Sequence, residues 1–327
     1  MARIAAGVPA PRALEAGEAM AIATGGVVPP GAEAVIPLEE VVETDNDIGI
    51  SRGVEVGENV RPRGGDMRLG EVVAPAGGRI GTAQIGALAA AGIADVVCAS
   101  RPRAAVLSTG TELRRPGEAL RPGEIYEANG PLLEAQLRSG GAEVTRLESV
   151  EDDERAHYDA LERGLAADLL VTSGGVSVGP HDLVRSVGRE LGVEEIFWGV
   201  SVKPGKPMWF GVRGRTLLFG LPGNPVSSLV CFELFVRPAV LALQGHLDPL
   251  PRFAPARLIE AVRPNAVRTE LVRARSRVAE SGIEVEVLSG QESHMIARAA
   301  GADVLVLLPP GESELPAGSS VSFLRLV

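Results

Sequence analysis

The chain has 327 residues, 45% of them hydrophobic but only 3% aromatic, so two or three domains with cores of Val, Leu, Ala and Ile are expected. Its net charge of −10 excludes a general nucleic-acid role, since phosphate backbones select basic surfaces. Two distant cysteines, Cys98 and Cys231, exclude a thiol zinc site or disulfide framework, and no stretch reads as a signal peptide or as an apolar run able to span a bilayer, so a cytoplasmic location is expected.

Residues 1–97 carry turn signals at Gly25-Gly26, Pro29-Pro30-Gly31, Arg63-Gly64-Gly65 and Pro75-Ala76-Gly77-Gly78. Short apolar pieces at 34–38 and 53–56 lie between them. This pattern predicts a β-rich N-terminal domain, left through a short helix at 84–91.

From 98 to 248 strand and helix patterns alternate. Strands are predicted at 104–107, 143–147, 168–171 and 216–219. Helices are predicted at 129–138, 154–165, 181–191 and from Asn224 to about Gln244. Such alternation implies an α/β domain of three layers, a mostly parallel sheet covered by helices. Ligands on such sheets sit beyond the carboxyl ends of the strands. The turns Ser108-Thr109-Gly110, 173–179 and 221–224 all fall there.

Residues 249–255 read as a linker, and 249–327 as a third domain. Short strands at 256–258, 270–275, 283–287, 304–308 and 321–327, with a helical turn or two at 293–300, predict a small C-terminal β-barrel.

Two tight motifs in the middle domain carry the chemistry. Lys203-Pro204-Gly205-Lys206-Pro207 puts two cations on a proline-stiffened loop. Gly220-Leu221-Pro222-Gly223-Asn224-Pro225-Val226-Ser227 reads as strand end, rigid turn and helix start, with Asn224 able to cap and Pro225 suited to the first turn. Free N–H groups at a helix start favour an anion, and lysine binds one as a point charge. Lys203, Lys206 and the 222–225 turn therefore predict a site for a phosphorylated or oxyanionic ligand. Ser173, Gly174, Gly175 and Ser177 form a second loop whose glycines let backbone approach a ligand. Asp182 and Asp152 each stand where a residue could cap the following helix, and capping alone is as good a reading of Asp152 as a site role.

These motifs, together with Ser108-Thr109-Gly110, residues 172–179 and Gly290-Gln291-Glu292-Ser293-His294-Met295, occur in one order. That order resembles the molybdopterin molybdenumtransferase family, which includes MoeA and the gephyrin E domain. Thr24-Gly25 with residues 29–34, and residues 61–66, look like the family's second domain, so the resemblance covers essentially the whole chain. It implies that adenylylated molybdopterin and molybdate are the substrates. The phosphoanhydride is cleaved with a divalent cation, taken as Mg²⁺, AMP is released, and molybdenum reaches the dithiolene. By resemblance Asp66, Glu112, Asp182 and Lys203 are catalytic, the three carboxylates as Mg²⁺ ligands. Thr24, Ser173, Gly174, Gly175, Ser177, Lys206, Pro222, Gly223, Asn224, Pro225, Arg273 and Ser293 hold substrate, the last two at its molybdate end. A homodimer is implied, with a molybdopterin adenylyltransferase and molybdoenzyme apoproteins as further partners, and neither nucleic acid nor membrane.

The chain departs from the family pattern at several points. Family chains begin with a segment carrying an Asn-Ser-Ala-Met-Asp-Gly-Tyr-like motif, and here Met1 stands after that point. Thr111 replaces an aspartate, Glu127-Ala128-Asn129 replaces Asp-Ser-Asn, Gly199 replaces a cation and Pro180-His181 an acidic-aromatic pair. A second expectation therefore stands beside the enzyme: a module that binds molybdopterin without turnover.

Overall fold

The computed structural model describes residues 3–44, 47–176 and 183–326. Contacts divide the chain into two units, Met1–Val73 and Ala74–Val327.

The first unit is built from turns and two small strand pairs. Arg3–Ile4 pairs in parallel with Ala21–Ile22, and Val41–Glu43 pairs antiparallel with Ile48–Ile50. The apolar pieces at 34–38 and 53–56 do not form strands. They lack the uninterrupted alternation that a ladder rewards. Among the described large hydrophobics of this unit, Ile4 is the one fully buried.

The second unit opens with helix α1 (Thr82–Ala90) and then forms a six-stranded sheet. Its strands are β1 (Arg103–Ser108), β2 (Glu143–Arg146), β3 (Leu169–Ser173), β4 (Glu194–Trp198), β5 (Trp209–Arg213) and β6 (Thr216–Leu221), in the order β4-β5-β6-β3-β1-β2. All pairings are parallel except those made by β5, which runs antiparallel to both neighbours. The hairpin of β5 and β6 and the edge strand β4 were not foreseen, although Phe197-Trp198 and Trp209-Phe210 are β-favouring pairs.

Side chains alternate across this sheet with period two. Ala104, Val106, Leu169 and Val171 face α2 (Asn129–Ser139) and a long helix. Ala105, Leu107 and Leu170 face α3 (Glu154–Gly164) and α4 (Leu183–Glu190). The long helix comprises α5 (Pro225–Cys231), a π-helical turn at Phe232–Val236 and α6 (Arg237–Leu243). It runs 19 residues at a mean hydropathy of 1.8, long and apolar enough to cross a membrane. The expectation that no stretch meets that measure is thus corrected. Just over half of the helix, 56%, is buried inside the protein, against the sheet and the domain that follows.

That domain is a closed five-stranded barrel. β7 (Ala254–Leu258), β8 (Thr269–Ala279), β9 (Gly282–Val287), β10 (Val304–Leu308) and β11 (Ser320–Arg325) form the ring β8-β9-β7-β11-β10, which returns to β8. Val272, Ala274, Val285, Val306 and Phe323 fill it. Outside the ring, Leu271 and Leu305 pack on Val226, Leu229 and Val230 of α5. A short helix α7 (Ile296–Ala299) completes that contact through Ala299.

Candidate functional site

The register of the central sheet creates the site. Ser108 of β1 lies opposite Ser173 of β3, and Ser173 opposite Leu221 of β6. Three parallel strands therefore end side by side, and their following loops share one rim. Backbone bonds tie these loops together: Thr109 N–H donates to Ser173 O (3.0 Å) and Gly174 N–H to Leu221 O (3.1 Å). Asn129, in the first turn of α2, spans two of them. Its Nδ2 donates to Ser173 Oγ and to Gly223 O, each at 2.7 Å. Gly174 has φ +94°, and a Cβ there would lie 2.6 Å from Thr109 O, so the loops could not approach this closely with a side chain between them.

The rim encloses a cavity of about 700 Å³. Of the residues singled out from the sequence, Glu112, Ser173, Gly174, Gly175, Pro222, Gly223, Asn224 and Pro225 line it. Ser177 and Asp182 lie outside the described residues. Thr24 and Asp66 belong to the first unit. Thr24 occupies a turn closed by Gly26 N–H donating to Ala23 O, and Asp66 is exposed after the turn closed by Gly65 N–H on Pro62 O.

The cationic loop turns out differently from the expectation. Pro207 lines the cavity, whereas Lys203 and Lys206 do not. Lys203 Nζ pairs with Glu270 Oε1 of β8 at 2.9 Å. The expected helix-start geometry is also altered. Asn224 holds the cap position of α5 but makes no cap bond with its side chain. Instead its Nδ2 donates to Ser293 Oγ (2.9 Å), and Val226 N–H donates to Ser293 O (3.0 Å). The start of the helix is thus used to hold the barrel loop that carries Ser293, and the neighbouring His294 and Ile296 reach the cavity wall.

Arg273 explains why that loop is fixed. The residue is 1% exposed. Its Nη1 donates to Met295 O (2.7 Å), its Nη2 to Gly290 O (2.7 Å) and Glu292 O (3.3 Å), and its Nε to Gln291 Oε1 (3.3 Å). Burial draws the guanidinium below its ordinary value, and Glu292 opposes this. The planar fork expected to meet an oxyanion is spent on loop carbonyls.

Three residues outside the expected site also form the wall: Glu127, Asn129 and Asp152. Asp152 was read as a cap as readily as a site residue, but the cap of α3 is Asp153, whose Oδ2 accepts from Ala156 N–H at 2.8 Å. Asp152 is left to the cavity. Glu127 is 6% exposed and accepts from Ser108 Oγ (2.9 Å) and from Gly130 N–H. Glu127 and Ala128 depart from the Asp-Ser-Asn motif and Asn129 keeps its last residue, which was the one signal available.

The described lining thus holds Glu112, Glu127 and Asp152 and no Lys or Arg. Carboxylates on the wall repel a bare phosphate, and a cation between them removes that repulsion. Glu112 and Asp152 form no ion pair with a described residue, and hard carboxylate oxygens suit a divalent cation that keeps waters and phosphate oxygens as its other ligands. Among the described residues no group of three or more His, Cys, Asp and Glu is close enough to hold a metal by itself. Of the expected triad of Asp66, Glu112 and Asp182, Glu112 lines the cavity, Asp182 lies outside the described residues and Asp66 belongs to the first unit.

Comparison with known proteins agrees with this architecture. Residues 1–92 match the MoeA N-terminal region (domain I and II), 105–242 the family described as Probable molybdopterin binding domain, and 255–326 the MoeA C-terminal region (domain IV). A molybdopterin molybdenumtransferase of Staphylococcus epidermidis is 30% identical over 97% of this chain, which spans 76% of that relative. One of Staphylococcus aureus is 31% identical over 94%, spanning 74% of the relative. A crystal structure of a molybdopterin biosynthesis MoeA protein from Pyrococcus horikoshii OT3 superposes with a TM-score of 0.81 at 25% identity, covering 100% of this chain and 80% of that one. With the same three domains in the same order, the chain belongs to the MoeA family.

Proposed function

We propose that the chain inserts molybdenum from molybdate into adenylylated molybdopterin, with release of AMP, to give molybdenum cofactor. The observation that carries this reading is the set of three in-register strand ends whose loops enclose one cavity. Backbone of 173–175 and 222–225 cradles phosphate there, as close approach at glycine allows. Glu112 and Asp152 would hold a divalent cation, Mg²⁺ by the family resemblance, which supplies charge neutralisation at the phosphate oxygens when bound. In the cleavage, a water oxygen adds to phosphorus and gives up a proton to solvent, while the bridging P–O bond breaks and its electron pair leaves on the departing phosphate. Most of the acceleration then comes from alignment and fixed electrostatics.

The reading brings with it a homodimer, an adenylyltransferase that supplies the substrate, apoenzymes that receive the product, and a cytoplasmic setting. It is tested by calorimetry with adenylylated molybdopterin, followed by AMP release with and without molybdate. Release that depends on molybdate and is lost in Glu112→Ala supports the enzyme. The second reading, a binding module, is favoured by the pairing of Lys203 with Glu270 and the lack of Lys or Arg on the described wall. Tight binding with no release under any condition would establish it and overturn the first.

A further inference from the structure

Gln136, Glu233 and Arg237 form a polar network inside the apolar seam between α2 and the long helix, and nothing in the proposed chemistry uses it. Glu233 stands in the π-helical turn and is 3% exposed, and Gln136 is buried. Gln136 Nε2 donates to Glu233 Oε1 at 2.8 Å and to Leu229 O at 3.4 Å. Arg237 donates to both oxygens of Glu233 and, through Nη2, to Ser139 Oγ at 3.2 Å. Around them Leu133, Leu137, Phe232, Val236 and Val240 belong to one apolar cluster. Burying an ion pair there is a poor route to stability, because desolvation offsets the attraction and apolar residues of similar size do as well or better. Apolar packing is non-directional, however, and by itself leaves the axial register of two helices loosely set. Hydrogen bonds between them fix it.

That register reaches the cavity through the start of α2. Asn129 and Gln136 are seven residues apart, so they share one face of the helix, about 10 Å apart along it. At the rim end Asn129 Nδ2 donates to Ser173 Oγ and to Gly223 O, both at 2.7 Å. The long helix begins at the same rim, with Pro225 on the cavity wall. A slide of α2 by about 1 Å would carry both Asn129 bonds beyond hydrogen-bonding distance. π-turns inside helices are rare and cluster at functional sites, and this one carries the carboxylate that holds Gln136. We propose that Gln136, Glu233 and Arg237 are positioning residues, which set α2 along the long helix and so aim Asn129 at the two rim loops. Their bearing on ligand binding rests on the reading of the cavity given above.

Gln136→Leu/Glu233→Leu/Arg237→Met replaces the network by apolar groups of similar size and should keep or raise the urea midpoint. The rim loops are joined by the Thr109 N–H on Ser173 O and the Gly174 N–H on Leu221 O. Hydrogen exchange of these two amides should become roughly five- to thirtyfold faster, the worth of one or two neutral hydrogen bonds. Affinity for adenylylated molybdopterin, by calorimetry, should fall by a similar factor. Asn129→Ala should reproduce both losses, and adding it to the triple variant should cost nothing more, since both act through one contact. Gln136→Leu alone leaves Glu233 paired with Arg237 and gives the same readout if the triple variant does not fold. Wild-type exchange at Thr109 and Gly174 in the folded variant overturns the positioning role and leaves the network a helix pin. So does faster exchange spread evenly over the sheet, or a loss that adds in full to that of Asn129→Ala. If the wild type binds no adenylylated molybdopterin, the reading of the cavity fails, and loop exchange still decides the role of the network.

Discussion

Replacing Arg273 by Met tests whether the barrel loop is positioned by that guanidinium. The two shortest bonds, to Met295 O and Gly290 O at 2.7 Å, are charge-assisted and contribute roughly 1.5–3 kcal/mol each. Desolvation of the buried cation offsets part of that sum. A net local loss of about 2–4 kcal/mol follows, or about 30- to 800-fold faster exchange for amides that open with the loop. Hydrogen–deuterium exchange reads this directly. The Met295 N–H, which donates to Glu292 O, should lose protection. So should the Val226 N–H, which donates to Ser293 O on a different domain. Strands β9 and β11 should keep theirs. Arg273→Lys, which retains the charge but not the fork, should restore less than half of the protection. Unchanged exchange at both Met295 and Val226 would refute the clamp and return Arg273 to the oxyanion role expected from the sequence.

Asp153→Ala should cost about 1 kcal/mol in urea denaturation through loss of the α3 cap, while Asp152→Ala should leave stability unchanged and weaken ligand binding; the reverse pattern would show the cap misassigned. Gly174→Ala places a Cβ against Thr109 O at φ +94° and should destabilise by about 1–3 kcal/mol, with ligand affinity falling as the loops separate. The Cys231 thiol is buried and pushed up to about 12, so at pH 8 it stays protonated; a thiol reagent should label the exposed Cys98 at once and Cys231 only after unfolding. Titration toward alkaline pH should raise Cys231 labelling only where the fold itself is lost, and native labelling of both thiols at pH 8 would contradict the structure.

The central sheet was legible because burial on both faces leaves near-continuous apolar runs, such as Leu169-Leu170-Val171, between glycine turns. The barrel was legible because its strands alternate about the ring. The strand pairs of the first unit were not, since 34–38 and 53–56 are too short and too broken for periodicity to decide. Within the site, the loops were found because glycine and proline mark tight backbone. The pairing of Lys203 was not legible because a sequence motif does not show that Glu270, more than 60 residues on, reaches it. Arg273 likewise gave no sign that carbonyls 17 to 22 residues away would absorb its donors. Charge is visible in a sequence; what neutralises it is set by the fold.

The strand order of the barrel has a consequence for biosynthesis. β11 lies between β7 and β10, so the ring stays open until residues 320–325 have left the ribosome. Up to then β7 lacks one of its two flanking strands and β10 has only β8. The outer face that meets α5 matures with the ring, and with it the loop bearing Ser293. During translation the sheet and its three rim loops can assemble first, but the wall supplied by the barrel follows them, so a nascent chain gains its complete ligand-binding surface only once residues 320–325 have emerged.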